Sequence, residues 1–425
     1  MDAAPTELAL WQKQPVDVVV ESHQIIECFP TIAVDDGSSL IEFRIPSNNE
    51  TVLDLYNTTF RCGFQIVKED DTKIVVADKV CLTNIPLHTS IASVDIDMGG
   101  KNLTSGTASN YPYKAYIDMI VNGASNDHEA EAAGLMLDTV KGMDTLGTNT
   151  SGDAGTNTGS LARMRWTATS KTVVFEGQLF SDICRQRKYI PLTEELHVRL
   201  HQSKDAFRLM TVTSGTNYKL KLVKPILRVR NVQLTPQGLR ELSLNRGNYL
   251  LPIKNTVIST YNIASGQFSF HVDTPFGGRV PNRLVVGMVT AKAFEGDYTA
   301  NPFNFQHFDV KEMAFTVNER SLPGPPIETD YEDDKYINAY RTLSSSLYPT
   351  RIPLEPPYSI ASGQYFNGYC FTIFNLSGES NSGELQVAPK FALTRFSVKF
   401  KTALAKAITL VLYSTFDDEL EIPVQ

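Results

Sequence analysis

The sequence predicts a mostly β protein made of two similar domains, and three observations lead to that prediction. The alternation of apolar and polar residues at Val94–Met98 returns at Met313–Val317, and that at Leu196–Leu200 returns at Phe396–Phe400. In each half, a polar loop and a short amphipathic helix follow the first of these strands, Val94–Met98 or Met313–Val317. Strand-like runs fill the remainder, about eight in each half, as a jelly roll requires. Shells and multivalent binding proteins often contain two such copies, whereas enzymes rarely need them.

Residues typical of turns separate the predicted strands. Ile41, Phe43 and Ile45 alternate with polar residues, which indicates a strand with one buried face. The strands predicted for the first half are Val16–Val20, Ile25–Phe29, Leu40–Ile45, Phe60–Val67, Lys73–Val76, Val94–Met98, Thr172–Phe180, Leu196–His201, Leu209–Thr213 and Tyr218–Leu234. Those predicted for the second half are Leu250–Tyr261, Gln267–Val272, Leu284–Thr290, Lys311–Val317, Tyr365–Phe374, Phe391–Phe400, Ile408–Ser414 and Glu419–Val424.

Two helices interrupt the strand pattern. The first is predicted to begin after Asn110, with Pro112 in its first turn, where a missing N–H leaves no hydrogen bond unmade. For the second, Asp330 is the predicted N-cap, and the acidic residues at 332–334 would favour the positive end of the helix dipole. A metal site is the alternative use of these acids, and helix-start chemistry explains them more simply. The apolar residues at helical spacing are Tyr113, Tyr116, Ile117, Ile120 and Val121, and then Tyr336, Ala339, Tyr340 and Leu343.

Breaks in the strand pattern at 235–248 predict the join between the two domains. We therefore expect a first jelly roll at 1–235 and a second at 236–425. Gly, Thr, Ser, Asn and Asp make up nearly all of 142–160, which predicts a flexible surface loop in the first domain. The stretch 323–357 contains seven prolines and predicts a stiffened, projecting loop system in the second. An N-terminal arm is expected at 1–14.

Composition and charge limit the classes of function. The 425 residues include 41 Phe, Trp and Tyr side chains, enough for two cores, and no run approaches the 18 apolar residues that a membrane helix needs. The N-terminus is not typical of a secretion signal, so we expect no export and five reduced, packed cysteines. The five Asn-x-Ser/Thr triplets then have no glycosylation role.

The net charge of −8 argues against a strong phosphate-binding surface. One local row of cations is the exception, and it consists of Lys219, Lys221, Lys224, Arg228 and Arg230. A solvated strand face is the favoured interpretation of this row, and a surface turned towards packaged DNA is the alternative.

The motifs of known catalytic sites are missing or incomplete. Gly99-Gly100-Lys101 resembles part of a phosphate-binding loop, but Asp95 and Asn102 occupy positions that require glycine and a hydroxyl, so a hairpin turn is predicted. His197 and His201 have the spacing of a zinc protease without its glutamate, and a sheet-face role is favoured.

Other enzyme classes lack support as well. The seven histidines contain no His-x-His pair, which argues against two-domain metal-binding cupins, and no Gly-x-Ser-x-Gly elbow is present. Asp95 and Asp97, like Asp417 and Asp418, could serve as paired carboxylates, but the first pair lies on the outward face of a predicted strand. We therefore predict no enzyme, no catalytic residue, no cofactor and no metal ligand.

Four separated segments resemble the major capsid protein of Polinton/Maverick elements and adintovirus-like viruses, in the order that this family shows. They cover parts of the chain from 109 to 422, and the first hundred residues are similar only in strand pattern. The segments are SNYPYKAYIDMIV (Ser109–Val121), HQSKDAFRLM (His201–Met210), NPFNFQHFDV (Asn301–Val310) and LVLYSTFDDELEI (Leu410–Ile422).

The resemblance implies an all-β double jelly roll, two eight-stranded antiparallel sandwiches side by side in one chain. It also implies a homotrimer that forms a pseudo-hexagonal capsomer. Many capsomers, with a penton or minor capsid protein, would make an icosahedral shell around double-stranded DNA without sequence-specific binding. The protein would then reside in the virion after assembly inside the host cell. We expect the loops 142–160 and 323–357 at the capsomer top or at trimer contacts, and the arm 1–14 beneath the shell.

Three alternatives remain open. A penton or minor capsid protein usually contains one jelly roll, so the internal repeat argues against it. A carbohydrate-binding protein with two sandwiches would need aromatic platforms, and the chain has only Trp11 and Trp166 as tryptophans. A two-sandwich hydrolase lacks supporting motifs. The mass in solution would separate a self-assembling shell protein from a monomeric binding protein.

Overall fold

The computed structural model describes residues 19–32, 39–75, 77–104, 110–122, 127–146, 157–212, 217–244, 249–347, 360–376 and 390–422. The strands of the first half are β1 (Val20–Cys28), β2 (Leu40–Ile45), β3 (Asn48–Lys68), β4 (Val80–Leu82), β5 (Ile91–Met98), β6 (Lys101–Asn102), β7 (Val173–Gln178), β8 (Ile190–Leu192), β9 (Leu196–Gln202), β10 (Leu209–Thr211) and β11 (Tyr218–Leu234). Its helices are α1 (Pro86–Thr89), α2 (Tyr111–Ile120), α3 (Asp127–Ala132), α4 (Thr158–Trp166) and α5 (Asp205–Arg208), with 3₁₀ turns at Ala168–Ser170 and Asp182–Arg185.

Helix α6 (Pro236–Leu244) follows β11 and separates the strands of the two halves. The strands of the second half are β12 (Tyr249–Ile263), β13 (Ser269–Asp273), β14 (Arg283–Thr290), β15 (Phe305–Gln306), β16 (Val310–Val317), β17 (Arg320–Glu328), β18 (Asn367–Gly368), β19 (Phe371–Asn375), β20 (Thr394–Phe400) and β21 (Ile408–Ile422). Its helices are α7 (Ala291–Glu295), α8 (Ile337–Leu347) and α9 (Ser362–Tyr365).

The two halves build their sheets in the same order. In the first half, one sheet runs β1-β11-β3-β7, with β8 added to β3, and the other runs β2-β9-β5-β6. In the second half the corresponding sheets run β12-β21-β14-β19 and β13-β20-β16-β17. All of these ladders are antiparallel, and in the described part of the chain none of them joins one half to the other. The predicted all-β double jelly roll is confirmed.

The internal repeat predicted from the sequence is also confirmed. The first two matching segments form β5 and β16, and each of these strands is third in the order of its sheet. The other two matching segments form β9, which pairs with β5, and β20, which pairs with β16. Helices α2 and α8 follow the equivalent strands β6 and β17. The hairpin predicted at Gly99 and Gly100 joins β5 to β6, and both residues have the positive φ that favours glycine.

Alternation buries one face of strands such as β2, β9 and β20, as expected for a sandwich. In β14, by contrast, Leu284–Val289 are all buried, so this strand is covered on both faces. Ile41, Phe43 and Ile45 of β2 are at most 4% exposed. Phe396 and Val398 of β20 are buried in the same way in the second half. Full burial of one such side chain contributes roughly 1.5–3 kcal/mol, so these faces supply much of the stability of each sandwich.

The first predicted helix is confirmed, and the predicted start of the second is wrong. Helix α2 begins at Tyr111 with Pro112 in its first turn. Helix α8 begins at Ile337, and Asp330 instead closes a turn by exchanging backbone hydrogen bonds with Lys335. The Asp330 and Glu332 carboxylates accept hydrogen bonds from Lys401 Nζ, at 2.9 and 2.7 Å. A cation across the sheet, and not a helix dipole, therefore neutralises two of these acids.

The flexible loop predicted at 142–160 is wrong at both ends, and 147–156 lies outside the described residues. Met143 is 2% exposed, and Asn157 and Ser160 are fully buried. The Asn157 side chain accepts hydrogen bonds from Ser160 N and Thr139 N, which caps α4 and connects its start to the segment at Thr139. The polar residues Asn157 and Ser160 thus serve helix capping and internal hydrogen bonds.

Parts of the second half also differ from the predicted elements. The proline-rich stretch contributes to β17, an edge strand paired with β16. Proline is tolerated there because the outer side of an edge strand needs no N–H hydrogen-bond donor. Residues 348–357 lie outside the described residues. Ile408–Ser414 and Glu419–Val424 are not two strands, because β21 runs unbroken from Ile408 to Ile422 while paired with β12. Residues 423–424 lie outside the described residues. The strand predicted at Tyr365–Phe374 is replaced by the end of α9 and by β18 and β19.

The strand predicted at Val16–Val20 lies outside the described residues except for Val19 and Val20, and Val20 begins β1. The other predicted strands agree with the structure apart from their ends and one short run. Lys73 forms only an isolated bridge with Val67, so the strand predicted at 73–76 is wrong where it is described. The predicted arm at 1–14 lies outside the described residues.

Candidate functional site: junction and assembly surfaces

The two halves meet at a junction, here the contacts of residues before 235 with residues after 249, and aromatic rings form its centre. Tyr116 of α2 stacks on Phe303, with ring centroids 4.2 Å apart and an interplanar angle of 9°. Tyr113, one turn earlier, stacks on Phe294 of α7 at 5.2 Å. All ten residues of α2 are buried. Aromatic pairs of this kind contribute roughly 0.5–1.5 kcal/mol beyond the area they bury, so α2 holds the halves together.

A buried ionic network crosses the junction beside these rings. Lys114 of α2 lies between two carboxylates: its Nζ donates a hydrogen bond to Asp182 and lies 3.7 Å from Asp118. Asp118 accepts a hydrogen bond of 2.6 Å from the Tyr413 hydroxyl of β21, and Asp182 accepts one of 3.0 Å from Thr256 N of β12. Each carboxylate therefore has partners in both halves.

Electrostatics keeps Lys114 charged. Burial acts to lower the pKa of Lys114, and the Asp182 and Asp118 carboxylates outweigh it, so the pKa lies above its ordinary value. Buried charges of opposite sign in close contact are stabilising only as a complete set, because removal of one member leaves another without a partner.

A second buried ion pair lies on another side of the junction. Arg163 of α4 is fully buried and donates a hydrogen bond of 2.6 Å from Nη2 to Asp138. The second Asp138 carboxylate oxygen accepts a hydrogen bond from Asn301 Nδ2, and the Asp138 backbone oxygen accepts one from the Tyr369 hydroxyl. Asn301 and Tyr369 belong to the second half. The pair therefore connects the halves as the Lys114 network does.

Sequence reasoning missed both networks. The helix prediction assigned Tyr113, Tyr116 and Ile117 to the buried face and left Lys114 and Asp118 unassigned. A signal was present, because opposite charges at i and i+4 support an ion pair on a helix. That signal usually marks an exposed pair, whereas here both residues are buried and their network reaches the second half through Tyr413.

The predicted sheet-face histidines lie on the outward side of β9. His201 Nε2 is 3.0 Å from Asp95 Oδ2, and His197 Nδ1 is 3.1 Å from Glu42 Oε1. Arg199, between them, forms an ion pair of 2.7 Å with Asp97. The sheet-face position of both histidines and the outward position of Asp95 and Asp97 are confirmed, although side chains across the sheet are their partners. The hydrogen bond from His197 is the largest influence that lowers the pKa of Glu42.

The basic row on β11 is largely paired with carboxylates. Arg228 forms ion pairs with Glu27 and Glu176, at 2.9 and 3.0 Å, and Lys221 lies 3.0 Å from Asp71. Arg230 Nε lies 3.7 Å from Asp54. Because these acids cancel much of the positive charge, the row is a partly exposed strand face of mixed charge.

The edge strand β1 offers an apolar surface. Its residues are exposed apart from Cys28, which is half-buried, and within the described residues only one of its edges is paired, with β11. Ile25 is 62% exposed and Ile26 is 39% exposed, although they point to opposite faces. Phe29 and Ile32, just beyond the strand, are 65% and 74% exposed. An exposed apolar edge of this kind is a template for contact with another chain. We call the residues 25, 26, 29 and 32 the β1 edge.

The cysteines behave as small apolar groups, as predicted. All five are unpaired thiols, and Cys62, Cys81, Cys184 and Cys370 are buried. Burial is the main influence on each of these four, and it raises the pKa of Cys62, Cys81 and Cys184 to about 12. In the described ranges, no group of three or more His, Cys, Asp and Glu side chains is arranged to hold a metal ion, and no helix is long and apolar enough to cross a membrane.

One buried histidine gives a pH-dependent prediction for the first half. His88 of α1 is fully buried, and its Nδ1 lies 2.9 Å from the Tyr111 hydroxyl, which accepts a hydrogen bond from Phe180 N. Burial, followed by the nearby Arg185 cation, lowers the pKa of His88 to about 3. The unfolded chain takes up this proton near pH 6.5 and the folded protein does not. The free energy of unfolding should therefore fall by about 2 kcal/mol between pH 7 and pH 5 because of this group alone.

Urea denaturation at several pH values measures this effect. His88→Asn, whose amide oxygen can take the place of Nδ1, should remove this component of the pH dependence. His23→Asn on the exposed strand β1 is the matched control and should leave it unchanged. An identical pH profile for the wild type and His88→Asn would show that His88 is not held neutral by the fold.

Comparison with known proteins gives one sequence relative and several structural ones. No family model matches the sequence. The chain is 22% identical over 395 residues to the uncharacterized protein F54H12.2 of Caenorhabditis elegans, covering 88% of this chain and 89% of that protein.

Solved structures of viral capsids are similar over nearly the whole chain. A cryo-EM structure of the Sputnik virophage matches with a TM-score of 0.59 at 11% identity, covering 100% of this chain and 93% of that one. The mavirus major capsid protein matches at 0.53 and 13%, covering 100% and 95%. The PBCV-1 virus capsid matches at 0.55 and 9%, covering 95% of both chains. At these identities the similarity shows the fold: this chain has the double jelly roll of viral major capsid proteins.

Proposed function

We propose that this chain is a major capsid protein, a structural subunit that assembles with copies of itself and has no enzymatic role. The observation that carries the proposal is the repetition of one strand order in two sandwiches that are locked together by a buried junction. Such a unit presents two related exteriors in a fixed relation. The full-length similarity to capsid proteins of Sputnik, mavirus and PBCV-1 supports the same role.

The proposed assembly follows the family resemblance of the sequence. The jelly rolls comprise 1–235 and 236–425, and three chains form a capsomer of six similar sandwiches with pseudo-sixfold symmetry. Capsomers, together with a penton or minor capsid protein, build an icosahedral shell around double-stranded DNA, which places the protein in the virion. The lineage that we propose is that of Polinton/Maverick elements and adintovirus-like viruses, supported by the four segments between 109 and 422.

Contacts between copies are the functional surfaces in this proposal. The β1 edge is our candidate for one of them, because the described residues pair only one side of the strand and apolar side chains lie on both of its faces. Because the protein is proposed to assemble with itself, the partner that contacts the β1 edge is a second copy of the chain. Stable interfaces of subunits bury on the order of 2,000 Å² or more, so the β1 edge would form only part of the contact.

Light scattering of the purified protein tests the proposal. A particle of three chains, each of 47.2 kDa, or a larger shell seen by electron microscopy, is expected. A monomer at all concentrations and salt conditions would contradict the capsid role. A monomer that binds glycans on an array would favour the carbohydrate-binding alternative.

The contribution of the β1 edge can be tested separately. Ile25→Lys combined with Ile26→Lys should shift trimers towards monomers while the circular dichroism spectrum stays that of the folded chain, because both side chains are exposed. Val75→Lys is the matched control, since Val75 is 54% exposed and lies outside β1. If the double variant stays as trimeric as the control, the β1 edge is not a contact between copies.

A further inference from the structure

One sheet of the second half is covered on both faces, and the first half supplies one of the covers. In the sheet β12-β21-β14-β19, Leu284 and Leu412 point into the core of their own sandwich. Val285 and Tyr413, which follow these residues along β14 and β21, point to the opposite face and belong to a cluster shared with the first half. The first half therefore lies against this opposite face.

Helix α2 and the turn after it form this cover. Asp118 of α2 accepts the hydrogen bond of 2.6 Å from the Tyr413 hydroxyl. Asn122 Oδ1, one turn further along the chain, accepts one of 2.6 Å from Arg283 Nη1. Arg283 lies two residues before Val285 on β14, so both contacts reach the same face of the sheet. The helix that follows β6 thus covers a sheet of the other half.

The equivalent sheet of the first half, β1-β11-β3-β7, is partly open on the corresponding side. We call the side of this sheet that points away from its own core the outer face. Val174 of β7 is 51% exposed at one edge of the outer face, and Ile25 of β1 is 62% exposed at the other edge. The strand register places the following side chains on the outer face: Ile25, Glu27, Arg61, Val174, Glu176, Arg228 and Arg230.

The outer face differs in composition from the covered face of the second half. Arg228 forms ion pairs with Glu27 and Glu176 at the centre of the outer face. The covered face is apolar at Val285 and Val411. Surfaces that stay covered within one chain are more apolar than those that meet water before the chains associate. A face of mixed charge with isolated apolar side chains therefore fits a contact between copies that fold separately.

Helix α8 is the counterpart of α2 in the second half, because each follows the equivalent strand of its half, β17 or β6. All ten residues of α2 are buried, whereas α8 keeps an exposed side. Ile337 is 62% exposed on this side, with Asn338 and Arg341 exposed beside it. Ala339 and Leu343 are buried and hold the opposite side of α8 in the core. The helix that joins the halves within the chain thus has a counterpart with one side turned to solvent.

We propose that α8 of one copy packs against the outer face of the next copy, and so repeats between chains the contact that α2 makes within one. The inference rests on the proposed capsid function and names two surfaces that meet in the capsomer. Because α8 and the outer face are different surfaces, the contact is head-to-tail, and such contacts form a closed ring when the rotation allows it. Three intrachain junctions and three of these contacts then join six sandwiches. Arg228 and Arg230 of the basic row face a neighbouring subunit in this arrangement, and not packaged DNA.

Cross-linking of the full chain tests which surfaces meet. Val174→Cys and Ile337→Cys place one thiol on the outer face and one on α8, at positions that are both exposed. A chain with both substitutions, treated with a short bis-maleimide, should give covalent species of two and of three chains on a denaturing gel. Each single variant should remain a single chain, because neither surface meets its own copy.

Two controls accompany this experiment. The wild type gives the background, which should be low because four of the five native cysteines are buried and Cys28 is half-buried. Val174→Cys combined with Phe268→Cys is the matched control, since Phe268 is 60% exposed and precedes β13, in the other sheet of the second half. This pair should not cross-link.

Charged substitutions measure the strength of the contact. Ile337→Lys and Val174→Lys should each raise the concentration at which half of the trimers dissociate by about tenfold or more, as expected when an interface side chain is lost. Phe268→Lys should change that concentration by less than about twofold, as expected for a side chain outside the contact. Light scattering over a dilution series gives these values, and circular dichroism confirms that each variant is folded.

The outcomes separate this inference from the capsid role. Trimers in which Val174→Cys and Ile337→Cys do not cross-link would overturn the inference and leave the capsid role intact. Cross-links in the Val174→Cys single variant would also overturn it, since like surfaces would then meet. A monomeric wild type would instead contradict the capsid role on which the inference rests.

Discussion

Arg163→Met is expected to lower the free energy of unfolding by about 3–5 kcal/mol, the range found when a buried ion pair loses one partner. The guanidinium is fully buried and donates hydrogen bonds to Leu82 O, Met136 O and Asp138. Methionine fills a similar volume but leaves these three acceptors without that donor. The Asp138 charge would then remain buried without its cation.

Urea denaturation followed by circular dichroism measures this loss. Arg165→Met is the matched control, since Arg165 lies two residues further along α4 and is exposed, and its effect should stay within about 0.5 kcal/mol. A second comparison separates charge from packing. Arg163→Met combined with Asp138→Asn also removes the buried negative charge and should be less destabilised than Arg163→Met alone. Equal stability of Arg163→Met and Arg165→Met would contradict the role of the buried pair.

Elements with one buried face could be predicted from the sequence, because alternation records burial directly. Strand β2 agrees with its prediction at both ends, and so does β11. The repeat was visible for the same reason, since β5 and β16 occupy equivalent positions and face similar cores. Errors arose where partners distant in sequence decide the structure. Asp330 was assigned to a helix start, but Lys401, 71 residues away, binds it.

The junction could not be predicted, because its partners lie too far apart for any local pattern to record them. Tyr413 and Asp118 are separated by 295 residues, and Asn301 and Asp138 by 163. In the sequence, polar residues such as Asp138 and Asn157 indicate an exposed surface or a loop. Only the packing of one sandwich against the other turns them into buried hydrogen-bonding groups.

Lys114→Met is expected to be destabilising by a similar amount, about 3–5 kcal/mol, since Asp118 and Asp182 would both be buried without their shared cation. A buried carboxylate without a cation favours its protonated form, so the loss should be smaller at pH 5 than at pH 7. Lys292→Met is the matched control. Its ion pair with Asp297 is exposed, and such pairs contribute about 0–1 kcal/mol.

A double-mutant cycle between Lys114 and Tyr413 tests whether the network joins the two halves. Tyr413→Phe removes the hydroxyl that donates to Asp118 and should cost about 1–3 kcal/mol alone. If Lys114 and Tyr413 act through the same carboxylate, the double variant should differ from the sum of the single variants by at least about 0.5 kcal/mol. Strict additivity would mean that α2 and β21 are stabilised independently.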